Sequence, residues 1–470
     1  MTQELESLLA KQGFTLYPKS IRNTDIGIQV FVAKLEGRKL VGVIRKPRRK
    51  HPELFSPILP EMKLSSGEVV SLHPLTWANY ERLRTILPIA PVAAGNQTSF
   101  GTGDRLGLVS AAHIMALSLY PVFPVIAQQS PRELAKTGRD FQHVLLKAVT
   151  GVLETGYTGQ YGADADHIKD EHHLLMGIEA GYSMYTIDLS DWIRNPKTSS
   201  PEHLTPLARR IVGESSDLCI NGYKVNGNGL VKSALIYEEA LEHVREFHNI
   251  LKANLGEFDL EISIDEGTRG TTPEDHVFIA EYLHRNGIDF TSLAPKFPGE
   301  FQKGVDYVGN IEALKRSLCT HAAICSGIGG YRLSLHSGSD KFSIYPLFGE
   351  VTDGQFHIKT SGNSWLRAIE VIAAKDPDLF TSLYRLCLDN LEDSKKAYAV
   401  SITRDDFPPT PPNEATAFLA NPSVRQLFHI SYGVLLEHRK DDIFNILRAN
   451  EKEHYASVSH HIERHLRLLF

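Results

Sequence analysis

Between residues 88 and 376 the chain repeats one rhythm. A short run that is apolar throughout, or alternates apolar and polar, breaks into glycine, proline, serine or acidic residues, and a stretch with apolar positions three and four apart follows. Runs of the first kind read as strands and stretches of the second kind as helices. Strands are predicted near residues 92–100, 122–127, 159–165, 183–187, 258–264, 289–294, 331–335 and 356–360. Eight strands with helices between them are the signature of a closed (β/α)8 barrel, an α/β fold whose ligands and catalytic groups gather at the strand C-termini. An inserted helical segment is predicted after the fourth strand, through Pro196, Ser199, Ser200 and the glycine-rich stretch 221–229. No short repeat of fixed period appears, which argues against a solenoid.

The flanks have other textures. Residues 1–88 predict a β-rich appendage, in which apolar runs at 28–35 and 40–44 surround Glu36, Gly37 and Arg38, a hairpin signal, and a helical run follows at 78–87. The barrel is assigned to residues 89–376. Residues 377–470 predict a helical extension packed on it, with helices at 377–388, 424–436 and 441–469 and a stiff proline-rich linker at 407–412. Arg425, His429 and Tyr432 share one helical face, which reads as a docking face.

Composition narrows the function classes. With 42% apolar and 23% charged residues and a formal net charge of −6, the chain has the make-up of a soluble globular protein without the positive field that nucleic acid requires. The basic run Arg45, Lys46, Arg48, Arg49 and Lys50 is short and reads as a solvated loop. Cys219, Cys319, Cys325 and Cys387 show neither C-x-x-C pairing nor disulfide density, so a reducing, cytoplasmic setting is expected. Residues 1–13 carry Glu4, Glu6 and Lys11 in place of a signal-peptide core, and no stretch has the length of a membrane span.

Candidate chemistry sits at the strand ends. The seventh strand breaks into His336, Ser337, Gly338, Ser339, Asp340 and Lys341; the third ends in Asp166 and His167, the fifth in Asp265 and Glu266, and His357 lies on the eighth. Taken one at a time these have structural readings: His357 as a core histidine, Glu266 as a salt-bridge partner, Asp166 as a cap. Taken together, His167, His336 and His357 make a site for a borderline divalent ion such as zinc, nickel, cobalt or manganese with positions open to substrate. A neighbouring carboxylate would act as base. The turn Gly101, Gly103, Asp104, Arg105 and Gly107 would let backbone amides approach an anion, although its spacing is not that of a dinucleotide fingerprint.

Several strings carry a resemblance. Ala165-Asp166-His167-Ile168-Lys169, Ser263-Ile264-Asp265-Glu266, Leu293-Ala294-Pro295, Gly-Glu-Phe-Gln-Lys-Gly-Val-Asp-Tyr at 299–307, Leu-His-Ser-Gly-Ser-Asp-Lys-Phe-Ser-Ile-Tyr-Pro at 335–346 and His-Ile-Lys-Thr-Ser-Gly at 357–362 resemble the tagaturonate epimerase family. The resemblance spans the barrel and most of the chain. It implies metal-dependent interconversion of tagaturonate and fructuronate in hexuronate catabolism. More distantly, an Asp-His pair at the third strand with histidines at the seventh and eighth is similar to class II ketose aldolases, whose histidines bind the metal and whose Asp moves the proton.

That similarity implies a retro-aldol route. The two uronates differ at a hydroxyl-bearing carbon β to the ketone, whose C–H the carbonyl does not acidify, so cleavage of the neighbouring C–C bond and its re-formation on the other face of the aldehyde is the accessible path. Asp166 is expected to take the hydroxyl proton. Glu266 is expected as a second acid/base group, because three imidazoles already satisfy the metal. Arg105, Lys303, Lys341 and Lys359 are candidates for the substrate carboxylate, and Gln129, Ser339 and Asp340 complete the predicted substrate-binding set. The partner expected is a small sugar acid, with no nucleic acid and no membrane; a homo-oligomer is compatible with the sequence. The alternatives are a ketose or ketose-phosphate aldolase using the same site, a glycosidase using Asp166 and Glu266 as paired carboxylates, and a non-catalytic sugar binder.

Overall fold

The computed structural model describes residues 2–47, 54, 57, 58, 60–194, 201–396, 398, 400–412 and 414–470. Arg48, Arg49 and Lys50 of the basic run, and Pro196, Ser199 and Ser200 of the insertion, lie outside them. At the centre is a closed barrel of parallel strands: β1 (Ser99–Thr102), β2 (Phe123–Gln129), β3 (Gly162–Ile168), β4 (Met184–Asp188), β5 (Asp259–Ser263), β6 (Ser292–Ala294), β7 (Arg332–Leu335) and β8 (Phe356–Thr360). Each pairs with its neighbour in sequence, and β8 closes on β1 through His357↔Ser99 and Lys359↔Gly101. All eight predicted strands are present, with shifted ends.

Strand alternation sorts the side chains into two environments. On β5, Leu260 and Ile262 pack in the apolar core while Asp259, Glu261 and Ser263 alternate with them; on β7, Leu333 and Leu335 alternate with Arg332 and Ser334. The apolar set meets the surrounding helices and the polar set fills the barrel. A parallel sheet closed on itself leaves no other place for a polar face.

Helix termini follow local rules. Thr272 caps the helix Pro273–Arg285 in a reciprocal capping box with Asp275, and proline opens the first turn. The glycine-rich stretch 221–229, read as part of an inserted helical segment, instead begins in a small hairpin, Cys219–Ile220 against Tyr223–Lys224, whose turn residues Asn221 and Gly222 both have positive φ, and only from Gly227 enters the helix Gly227–Asn254 capped by Asn226. At Gly151 a Cβ would lie 2.7 Å from the Ala111 nitrogen, so the helices Ser110–Leu117 and Phe141–Thr155 touch through backbone there. Gly151→Ala is expected to destabilise the protein by about 1–3 kcal/mol, read as a fall in denaturant midpoint with an unchanged slope.

The N-terminal sheet is antiparallel, ordered Thr15–Asn23, Gln29–Leu35, Arg38–Arg45, Val69–Pro74, Met62–Lys63, with the hairpin at Glu36 and Gly37 as expected. The helix Thr2–Ala10 covers it through Leu5 and Leu9. The first strand was not legible because Pro18 interrupts it, which an edge position tolerates. Beyond the barrel, Pro377–Asp389, Pro422–Ile430, Tyr432–Ala449 and Glu451–Leu469 are helices, the last packing on Ser110–Leu117 and Asn363–Lys375. No helix among the described residues is long and apolar enough to cross a membrane.

Candidate active site and metal centre

The polar interior is densest at the C-terminal mouth. Lys359, on the inner face of β8, is 4% exposed and pairs with Asp164 at 3.0 Å, Asp166 at 2.8 Å and Glu261 at 3.0 Å, and donates to the Thr186 hydroxyl at 2.5 Å. Burial works against its charge, but the three carboxylates outweigh it and hold the ammonium well above the usual lysine range. Burial and the neighbouring Asp166 and Glu261 push Asp164 the other way, up to about 6, against the pull of Lys359.

Above this network two imidazoles converge. His167 sits where β3 slips register against β4, at φ 53°, a left-handed conformation that turns its ring out of the strand and over the mouth. His336 leaves the end of β7, and the two ring centroids are 5.1 Å apart. Asp265, just past β5, lies between them: its Oδ1 is 3.0 Å from His336 Nδ1 and 3.6 Å from His167 Nε2. The remaining nitrogens are anchored from behind, His336 Nε2 donating to Glu261 at 2.6 Å and His167 Nδ1 to Asp166.

This arrangement fits a divalent ion. Ligand atoms of His167, Asp265 and His336 all lie within 4.8 Å of one another. Each imidazole is oriented by a buried carboxylate on its far nitrogen, the outer-shell pattern that fixes metal-bound histidines. The charges agree: Asp164, Asp166 and Glu261 share one ammonium, Lys359, Asp265 adds a fourth carboxylate between the imidazoles, and the carboxylates hold both imidazoles above their ordinary value despite burial. A second grouping, His167, Asp188 and Glu266, shares the first imidazole.

The predicted third imidazole is not in this group. His357 shares the inner face of β8 with Lys359 but is level with Ser334 and Ser99, one layer below His336 and Lys359, about 6.6 Å down the strand. Its Nδ1 meets the Ser99 hydroxyl at 2.8 Å, and burial drives it down to about 3. Asp265 stands where that imidazole was expected. The next residue, Glu266, expected as an acid/base group, lines the cavity and pairs with Arg132 at 3.2 Å, its side chain 35% exposed.

The predicted substrate groups divide. Arg105, Lys303 and Lys359 line the inner cavity; Gln129, Ser339, Asp340 and Lys341 do not. Gln129 is buried with no partner for its amide among the described residues. Ser339 exchanges hydrogen bonds with the Ser361 backbone, and Asp340 pairs with Arg425 at 3.0 Å and His461 at 2.9 Å. Lys341 is fully buried, its Nζ enclosed by the carbonyls of Gln302, Val305 and Ser339, and burial lowers it to about 7. The turn at Gly101 is no anion cradle either: the Gly107 and Val109 amides donate to the Asp104 carboxylate, and Gln128 fills the space a Gly101 side chain would need. The predicted docking face behaves as one, with Tyr432 under the Arg105 guanidinium at 4.0 Å and His429 beside it.

The inner cavity, about 30 Å³, is lined by Asp166, His167, Asp265, Glu266 and His336. It opens into an outer cleft of about 670 Å³ walled by Phe297, Phe301, Tyr398 and Val400.

The chain has close relatives. The family model described as tagaturonate epimerase matches residues 17–469. A protein of Thermotoga maritima named tagaturonate/fructuronate epimerase is 38% identical over 476 positions, covering 97% of each chain. Two crystal structures of fructuronate-tagaturonate epimerase from Cohnella laeviribosi are similar throughout. The native one has a TM-score of 0.89 at 33% identity, covering 100% of this chain and 99% of that one; the one-glycerol complex has 0.90 at 33%, covering 99% of each.

Proposed function

We propose, from the premise that the chain belongs to the tagaturonate epimerase family, that it interconverts tagaturonate and fructuronate at a divalent-ion centre by opening and re-forming one C–C bond. The observation that carries the centre is the meeting of His167 Nε2 and His336 Nδ1 at the Asp265 carboxylate, with Asp166 and Glu261 holding the opposite ring nitrogens. His167, Asp265 and His336 would hold the ion. When bound it would supply Lewis-acid stabilisation of the negative charge that develops at the ketone.

The chain's own groups account for the proton and the geometry. Asp166 takes both Lys359 and His167 on Oδ1, so Oδ2 is the oxygen that accepts the proton of the hydroxyl at the inverting carbon. As that proton leaves, the C–O bond becomes a carbonyl, and the electrons of the C–C bond pass to the ketone half as an enediolate. The aldehyde turns, the electron pair returns to its other face, and its oxygen takes a proton back. That oxygen stands on opposite sides in the two epimers, so two proton-exchanging groups suit the site, and Glu266 lines the same cavity as Asp166. Holding both fragments in one cavity replaces a bimolecular recombination by an intramolecular one.

A proton NMR time course of the purified enzyme with tagaturonate tests this, run before chelation, after it, and after re-addition of zinc, nickel, cobalt or manganese. Fructuronate should appear, vanish on chelation and return with metal, without three-carbon fragments accumulating. Turnover that survives complete chelation would overturn the metal reading. Accumulating fragments would make the chain an aldolase.

A further inference from the structure

Resting on the reading above, the cations of the mouth can be accounted for one by one. Arg105 is held by Glu133 at 2.9 Å, Arg132 by Glu266, and Lys359 by its three carboxylates. Lys341 is enclosed by carbonyls, and Lys296, which lines the outer cleft but not the inner cavity, donates to the Gly267 carbonyl at 2.6 Å. Lys303 differs: it lines both the inner cavity and the outer cleft, its Nζ donates to the Ser337 hydroxyl at 2.9 Å, and no carboxylate among the described residues pairs with it.

We propose that Lys303, held against Ser337 next to His336, grips the carboxylate of the sugar acid, and that Lys341 and Arg425 are positioning residues that hold its loop in place. The loop has few supports of its own. Gly304 sits at φ 75°, and Lys303 lies between two carbonyls, those of Gln302 and Val305, that Lys341 Nζ holds at 2.8 and 2.6 Å. From the other side Arg425 Nε donates to the Gly304 carbonyl at 2.8 Å, while its Nη2 pairs with Asp340, which His461 also holds. The C-terminal helices thereby reach the substrate through this loop.

The grip has a consequence specific to this reaction. Cleavage at the inverting carbon leaves the carboxylate on the three-carbon aldehyde, the fragment that must turn without escaping. A lysine on that carboxylate tethers the fragment at the end remote from the bond being re-formed. Lys303 is thus a device for keeping an aldol cleavage closed, and it selects uronates over neutral ketoses.

The test is Lys303→Met, with Lys303→Arg as the charge-preserving control, assayed as holoenzymes of verified metal content. Loss of one charge-assisted contact predicts a KM for tagaturonate about 10- to 100-fold higher, free carboxylated three-carbon aldehyde detectable by NMR, and metal content unchanged. Lys303→Arg should recover most of the affinity, and Arg425→Met should raise KM in the same direction by less. An unchanged KM with no fragment release in Lys303→Met overturns the proposal. If wild-type enzyme fails on tagaturonate, the functional reading fails by itself. The grip is then read by calorimetry with glycerate, which carries the fragment's carboxylate and hydroxyl. Binding to wild type that disappears in Lys303→Met supports it, and equal or absent binding to both overturns it.

Discussion

Lys359→Met should be among the most destabilising single substitutions in this protein. The side chain has nearly the same length, so the loss is electrostatic: Asp164, Asp166 and Glu261, all buried, lose the ammonium they share. Breaking a buried ion pair by removing one partner costs about 3–5 kcal/mol, and here one cation serves three anions. The cost should depend on pH in a defined direction. Asp164 already stands at about 6 with Lys359 present, and without the ammonium it would rise further above its unfolded value, while Asp166 and Glu261, which Lys359 helps to hold low, would rise as well. A folded state with raised carboxylate pKa values binds more protons than the unfolded chain, so its stability increases as pH falls. The variant should therefore melt higher at pH 5.5 than at pH 8, and adding Asp164→Asn should recover part of the loss at pH 8. A Lys359→Met protein as stable as wild type at pH 8 would remove Lys359 from the centre of this network.

How the barrel was legible, and how the site was only half so, comes from the same alternation. The strands of the barrel announce themselves because their outward residues, such as Leu260 and Ile262, or Leu333 and Leu335, are apolar enough to pack on helices. The inward residues were visible too, as Asp259, Glu261, Ser263 and Asp265 at every second position, but reading only the strand ends discarded the layers beneath. Asp164 and Glu261 were missed for that reason, although a polar face on a strand of a closed barrel has nowhere to go but inside. His357 was misplaced for the converse reason: its type suggested a ligand while its position, two residues before Lys359, put it a layer too deep. Asp265 was not singled out as a ligand beside Glu266, although parity marks it, since Asp265 continues the inward series Glu261 and Ser263. The ion-pair partners of Arg105 and Asp340, and the partners of Lys341 apart from the neighbouring Ser339 carbonyl, lie 28 to 121 positions away and had no local signal.

Three carboxylate substitutions should separate the roles around the two imidazoles. Asp265→Asn removes the anionic oxygen that lies 3.0 Å from His336 Nδ1 and 3.6 Å from His167 Nε2, so the purified protein should carry little or no divalent metal, and turnover should fall by roughly a thousandfold or more. Glu261→Gln leaves the donor set intact but weakens the acceptor behind His336, and loss of such an outer partner lowers metal affinity by about 10- to 100-fold. Its activity should return when excess metal is supplied. Glu266→Gln should keep its metal, because Glu266 faces Arg132 and the cavity, and should lose turnover by about 100-fold or more as a proton-exchanging group. Metal analysis of the three purified proteins, beside rates with and without added metal, reads all three expectations at once. If Glu266→Gln emerges without metal while Asp265→Asn retains it, the centre is the grouping of His167, Asp188 and Glu266 and the ion sits on the other side of His167. The roles of Asp265 and Glu266 would then exchange, and the proton would have to be taken at Asp166 and Asp265, leaving Glu261 to orient a histidine that holds no ion.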